Sequence, residues 1–219
     1  MHREHLVRIW SEQGIDPKLV EAFMSVPREM FVAPDLFHQA YLDRPLPTIR
    51  GQSLSQPTTV MLMTHALEVQ EGQKILEVGS GVGYQASLLG KLVGEKGKVI
   101  TTEILPELVQ MSKENFKKLG LNWVTVQETD GACGVQEEAP FDRIMITAAC
   151  PKVPEPLLEQ LKDGGIIVAP VGTPEAQFMV KVVKEGPRLE FEFLGQFMFV
   201  PLQGKYGFTE EMKVDSMGE

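Results

Sequence analysis

The segment Glu77-Val78-Gly79-Ser80-Gly81-Val82-Gly83-Tyr84 constrains this chain more than any other. It follows a short apolar run, Lys74 to Val78, and opens a helical pattern, Tyr84 to Val93. A glycine turn between strand and helix is the context that a nucleotide loop requires. Glycine admits positive φ and lets backbone approach a ligand with no Cβ in the way. In an open α/β sheet, ligands bind beyond the carboxyl ends of the strands, where such a loop lies.

The pattern after Lys74 alternates. Strands are predicted at Lys98 to Glu103, Trp123 to Gln127, Phe141 to Thr147 and Ile166 to Val171, with helices at Pro106 to Leu119 and Pro154 to Lys162. Gly120 closes the first of these helices, and Gly164-Gly165 stops the second. This alternation implies a doubly wound, mainly parallel, Rossmann-like α/β sheet with helices on both faces. Two further strands, near Gln177 to Lys184 and Glu190 to Phe199, have no helix between them and suggest an antiparallel hairpin on one edge. The first 70 residues read differently. Asp16-Pro17 starts a helix that Val26-Pro27 ends. Residues 27–57 are rich in Pro, Asp and Gly and read as loop and short helix, followed by a helix from Thr58 to Leu67. So long an irregular stretch is often functional. The chain therefore reads as one domain: a helical and loop cap at 1–70 over the site, an α/β core at 71–204 and a charged tail at 205–219, frayed from Thr209.

Two carboxylates sharpen the loop. Glu103 ends the second strand, placed to accept both hydroxyls of an adenosine ribose. Asp130-Gly131 follows the third strand, within reach of an adenine amino group. A dinucleotide fingerprint is G-x-G-x-x-G, with a pyrophosphate at the helix N-terminus. Here the spacing is G-x-G-x-G, and Tyr84 stands where the third glycine would be. Glu77, two positions before Gly79, suits a ligand bearing an amino group and a sulfonium. S-adenosylmethionine has those groups and no phosphate, so it ranks above a nicotinamide cofactor.

The 219 residues carry 43% hydrophobic and 23% charged side chains, ordinary values for a globular fold. The formal net charge of −9 argues against duplex nucleic acid as the main partner. No apolar run approaches the roughly 20 residues of a membrane helix. Met1 to Trp10, charged at Arg3, Glu4 and Arg8, lacks the apolar core of a signal peptide, so the cytoplasm is the expected compartment. Cys133 and Cys150 sit in no metal or disulfide pattern and read as small buried apolar residues. His2, His5, His38 and His65 lie outside the nucleotide core and read as structural or surface residues. No metal site is expected.

Several stretches together resemble the protein-L-isoaspartate (D-aspartate) O-methyltransferases. They are V-P-R-E-M-F-V at 26–32, Y-L-D-R-P-L-P at 41–47, G-Q-S-L-S-Q-P at 51–57, E-V-G-S-G-V-G-Y-Q-A at 77–86, T-D-G at 129–131, A-P-F-D-R-I at 139–144, T-A-A at 147–149 and F-V-P-L at 199–202. The glycine loop alone marks only the methyltransferase class; 51–57 with A-P-F-D and T-A-A is far more specific. The resemblance implies a repair enzyme that methylates isoaspartyl, and D-aspartyl, residues of damaged proteins and peptides, acting as a monomer and releasing S-adenosylhomocysteine. It implies Ser55 in the active site and Gln52, Ser53 and Leu54 beside it. Glu77, Gly79, Ser80, Gly81, Gly83, Tyr84, Glu103, Ile104, Asp130 and Gly131 would form the donor site. Thr147, Ala148, Ala149, Pro201 and Leu202 would form the peptide cleft. Ser80, Val82, Cys150 and His65 depart from the family's commonest residues, while all three loop glycines are kept.

The residues suit that chemistry. A free α-carboxylate has a pKa near ~3.5, so the nucleophile is already ionised at neutral pH and needs no general base. Ser55 has no evident base beside it and reads as a hydroxyl that orients the carboxylate or closes the loop.

Overall fold

A computed structural model describes residues 3–209. His2 and most of the expected tail, 210–219, lie outside the described residues. Helix α1 (Arg3–Glu12) and helix α2 (Pro17–Ser25) come first. The Asp16 carboxylate caps α2 by accepting the Lys18 N–H at 2.8 Å, and Pro17 occupies the first turn. Two 3-10 turns, Arg28–Phe31 and Pro34–Gln39, lead to a small antiparallel ribbon of β1 (Leu46–Pro47) and β2 (Ser53–Leu54). Helix α3 (Pro57–Leu67) follows.

The α/β core runs β3 (Lys74–Val78), α4 (Tyr84–Val93), β4 (Lys98–Glu103), α5 (Pro106–Lys118), β5 (Val124–Glu128), β6 (Phe141–Ile146), α6 (Glu155–Gln160) and β7 (Leu161–Gly172). It ends in β8 (Gln177–Glu185) and β9 (Arg188–Phe197). The seven-stranded sheet has the order β5-β4-β3-β6-β7-β8-β9. The first five strands are parallel, and β8 and β9 are antiparallel to their neighbours. The antiparallel edge is thus as expected, and β9 is its outer strand.

The central strands are apolar on both faces because both faces are covered. On one side Ile75, Val99, Met145 and Val168 pack against α3, α4 and α5 through Met63, Leu67, Leu89, Val93 and Phe116. On the other, Leu76, Ile100, Ile144 and Ile167 meet Leu157 of α6 and the turn residues Ala132 and Val135. A third cluster joins the N-terminal segment to the core, with Leu6, Trp10, Leu19 and Phe23 packed with Leu88 of α4. Strand order reverses between the parallel neighbours β3 and β6, so the crevice at their carboxyl ends is the natural ligand position.

Two expectations need correction. The sixth helix stops at Gln160 rather than Lys162, and β7 begins at once, before Gly164-Gly165. Leu161, buried, pairs with Phe141, and the register shifts before Ile166 meets Arg143. The Gln160 side chain holds the turn below: its Oε1 accepts the Val135 N–H and its Nε2 donates to the Cys133 carbonyl. Cys133 is exposed, although Gly131 and Ala132 of the same 3-10 turn are buried; only Cys150 is buried as expected.

Trp10 secures α1 to the rest. Fully buried, it packs edge-on against Phe23 at 4.8 Å, and its Nε1 donates to Thr58 Oγ1 at 3.0 Å. Trp10→Ala is expected to lower stability by about 3–5 kcal/mol, the range for deleting a buried indole, read as a reduced midpoint in urea denaturation.

Candidate active site

The glycine loop is held from three sides. Gly79 and Ser80 N–H groups donate to the Thr102 carbonyl at 3.0 and 2.8 Å. From α5, Ser112 Oγ donates to the Gly81 carbonyl and Asn115 Nδ2 to the Val82 carbonyl, each at 3.0 Å. From the end of β6, Thr147 Oγ1 bonds the Val78 and Gly79 carbonyls at 3.0 and 2.6 Å. Two of the glycines are needed for close approach. At Gly79, with φ 96°, a Cβ would lie 2.5 Å from Thr147 Oγ1; at Gly83, with φ 87°, it would lie 2.8 Å from the Phe116 ring.

Glu103 closes the site from β4. One carboxylate oxygen accepts the Gly81 N–H at 2.9 Å; the other accepts the N–H groups of Ile104 at 2.9 Å and Leu105 at 3.1 Å. These donors orient the carboxylate while leaving acceptor capacity for ligand hydroxyls, since two carboxylate oxygens offer about four lone-pair sites. Asp130 sits after β5. Its Oδ1 accepts the Ala132 N–H at 3.0 Å and its Oδ2 the Lys205 N–H at 2.8 Å. The second bond pins the C-terminal strap beside the end of β5. Gly204 permits it, because a Cβ there would lie 2.3 Å from Asp130 Oδ2.

These elements surround one cavity. Its lining includes Gly79, Ser80, Gly81, Tyr84, Glu103, Ile104, Asp130 and Gly131 on the core side. Gln52, Ser53, Leu54 and Ser55 come from the β2 segment, Thr147 and Ala148 from the end of β6, and Pro201 and Leu202 from the strap. A second cavity shares Ser53, Ser55, Thr147, Phe199 and Val200 with the first and continues over Thr58, Thr59 and Gln177. Among the described residues no Lys, Arg or His lines either cavity, while Glu103 and Asp130 line the first.

Three expected site residues fall outside the lining. Gly83 packs against Phe116 and Ser112. Ala149 is fully buried and bonds the strap through backbone, its N–H to the Val200 carbonyl and its carbonyl from the Leu202 N–H. Glu77 is fully buried beneath the loop. Its Oε2 accepts the Thr101 hydroxyl, and its Oε1 has no hydrogen-bond partner. Burial pushes its pKa up to about 8, with the Thr101 bond opposing and the Glu103 charge adding.

Phe199, Val200, Gln203, Gln85 and Leu105 line the cavity without having been singled out by sequence. The F-V-P-L stretch carried the signal for the first two. The departures from the family pattern are accommodated. Ser80 Oγ lies 2.9 Å from Ser112 Oγ, Val82 is buried, and His65 Nδ1 accepts the Asp16 N–H at 3.3 Å.

A family model for protein-L-isoaspartate(D-aspartate) O-methyltransferase matches residues 1–207. The chain belongs to this family. A protein-L-isoaspartate O-methyltransferase of Methanococcoides burtonii is 44% identical over 204 residues, covering 93% of this chain and 100% of its own. One of Methanopyrus kandleri is 45% identical over 212 residues, covering 95% and 94%. Among solved structures, a protein-L-isoaspartate O-methyltransferase superposes with a TM-score of 0.86 at 30% identity, over 94% of this chain and 67% of that one. A Plasmodium falciparum protein described as a protein-L-isoaspartate O-methyltransferase, solved in complex with S-adenosyl-L-homocysteine, gives 0.80 at 21% identity, over 93% and 99%, and shares the fold.

The Glu77 environment makes a pH prediction for the ligand-free protein. A folded pKa near 8 against an ordinary 4.5 means that the folded state binds the extra proton between those values. Its contribution to stability is therefore complete below 4.5 and is lost as pH rises through about 8. Glu77→Gln, which cannot ionise, should remove that decline. Urea midpoints at either end of the window check it; an unchanged slope would contradict the assignment.

Proposed function

We propose that this chain transfers a methyl group from S-adenosylmethionine to the α-carboxylate of L-isoaspartyl residues in damaged proteins and peptides. The observation that carries the reading is the shared cavity, where the donor-type loop, Glu103 and Asp130 face the 52–55 segment and Thr147. We assign Gly79, Ser80, Gly81, Tyr84, Glu103, Ile104, Asp130 and Gly131 to the donor. Glu77 supports the loop from below. The adjoining cavity, with Ser53, Thr147, Phe199 and Val200, is the peptide cleft, and residues 1–70 act as its cap.

The donor, when bound, supplies a sulfonium methyl whose transfer leaves a neutral thioether. The residues present fit such a ligand. Glu103 offers oriented acceptor capacity to a ribose, the lining is free of phosphate-binding cations, and acidic groups suit a cationic ligand. No general base is needed, because the acceptor is ionised well below neutral pH. The protein's task is alignment, which can supply on the order of 7–11 kcal/mol in favourable cases. Ser55, half-buried where the two cavities meet, orients the carboxylate through its hydroxyl. The carboxylate oxygen forms a bond to the methyl carbon as the carbon–sulfur bond breaks, giving a methyl ester with no proton transfer.

Label transfer from S-adenosylmethionine to an isoaspartyl peptide, with the aspartyl isomer as control, tests the function. Equal labelling of both isomers would overturn it. Ser55→Ala should keep donor affinity and lose turnover; wild-type turnover would remove Ser55 from the site. Glu103→Ala should weaken S-adenosylhomocysteine binding by roughly 1.5–3 kcal/mol in calorimetry, the worth of a charged hydrogen bond.

A further inference from the structure

A buried cation lies directly behind the acceptor segment. Arg28, in the 3-10 turn Arg28–Phe31, has no solvent exposure. Its Nη2 donates to the Ser55 carbonyl at 2.6 Å and its Nε to the Ala40 carbonyl at 2.8 Å. Its guanidinium carbon stands 4.9 Å from the centroid of the Tyr84 ring, the residue that ends the glycine loop and lines the cavity. Phe31 packs edge-on against the same ring at 5.1 Å. One short turn therefore grips the acceptor segment through Ser55 and the donor loop through Tyr84.

The charge is unusual in its setting. Among the described residues no carboxylate forms an ion pair with Arg28. No hydrogen bond of good geometry reaches its Nη1 or the buried Tyr84 hydroxyl, although the two groups interact with each other and that contact favours the charged guanidinium. Burial opposes the charged form, with Tyr84, Tyr41 and Asp43 acting the other way. An apolar side chain of similar volume would fill this space without burying an unpaired donor. The cavity in front has the opposite need: it must admit an anionic acceptor past Glu103 and Asp130 with no cation in its lining.

We propose that Arg28 is a positioning residue of the methyl transfer: its guanidinium fixes the Ser55 segment against Tyr84, and its charge draws the acceptor carboxylate into an otherwise acidic cavity. This rests on the reading of Ser55 as the acceptor-side residue. Donor affinity depends little on Arg28, because the loop has its own supports in Thr102, Ser112, Asn115, Thr147 and Glu103.

Arg28→Lys keeps the charge and loses the fork; Arg28→Met loses both. With S-adenosylhomocysteine affinity held within about threefold, both variants should lose kcat on an isoaspartyl peptide by about tenfold or more. KM for the peptide should stay near wild type in Arg28→Lys and rise several-fold in Arg28→Met. Wild-type kcat and KM in both, or activity lost only in step with donor affinity, overturns the proposal. If the variants do not fold, the wild-type protein decides. In the S-adenosylhomocysteine complex, the Arg28 Nε resonance should shift on adding isoaspartyl peptide and not on adding its aspartyl isomer. No shift overturns the proposal. Ser55→Ala measured alongside separates the two ideas. Loss of turnover there with unaffected Arg28 variants sinks only the role of Arg28, whereas full activity in all three sinks the reading of Ser55 as well.

Discussion

The Glu103 carboxylate is the fixed point of the site. It accepts backbone N–H groups from the glycine loop at Gly81 and from the approach to α5 at Ile104 and Leu105. Two segments that would otherwise move independently are tied to the end of one strand. That strand is buried between Val124 and Ile75 neighbours in a parallel sheet, so the anchor inherits the rigidity of the core. Hydrogen bonds to an ionised acceptor are stronger than neutral ones, and three of them converge here. A ligand hydroxyl reaching Glu103 would find the acceptor already oriented, with little reorganisation left to do.

The same arrangement concentrates negative charge. Glu103 and Asp130 face the cavity, and Glu77 lies beneath it with one oxygen unpartnered. Full burial of Glu77 disfavours its charged form, and the Glu103 charge acts in the same direction. Arrival of a cationic ligand opposes that effect by favouring the charged forms. The raised pKa of Glu77 thus comes first from its burial in the core, and the neighbouring Glu103 charge adds to it.

The core was legible because its signals are local. Apolar runs bounded by glycines marked the strands, Asp16-Pro17 and Pro106 marked helix starts, and the loop glycines marked close backbone approaches. Where the structure departs, long-range contacts decide. Helix α1 escaped notice because it buries only Leu6 and Trp10, too few to set a clear period. The early end of α6 follows from Leu161 pairing with Phe141, a partner twenty residues away. Cys133 is the exposed last residue of a turn whose first two residues, Gly131 and Ala132, are buried, a split that sequence alone does not show. Glu77 was visible as an acid beside the loop, yet its strand position turns it into the core. Placing Ser55 at the site took motif similarity rather than periodicity, since residues 46–54 form only a two-residue ribbon whose position depends on Arg28 and Asp43.

The proposed donor and acceptor halves of the site are therefore built by different physics. The proposed donor half consists of strand ends and a loop held by Thr102, Ser112, Asn115, Thr147 and Glu103. The acceptor half consists of two irregular straps, 52–57 and 198–205, joined to the core at discrete points: Ser55 through Arg28, Thr58 through Asp43, Ala149 with Val200 and Leu202, and Lys205 through Asp130. Because the chemistry needs no proton shuttle, the straps have only to admit a carboxylate, exclude water and hold one line of approach. Selectivity between isoaspartyl and aspartyl chains then becomes a question of backbone path, since the two isomers carry the same groups on differently routed chains. A cleft lined by the strap backbone at Phe199 and Val200 and by the ribbon at Ser53 is suited to reading that path.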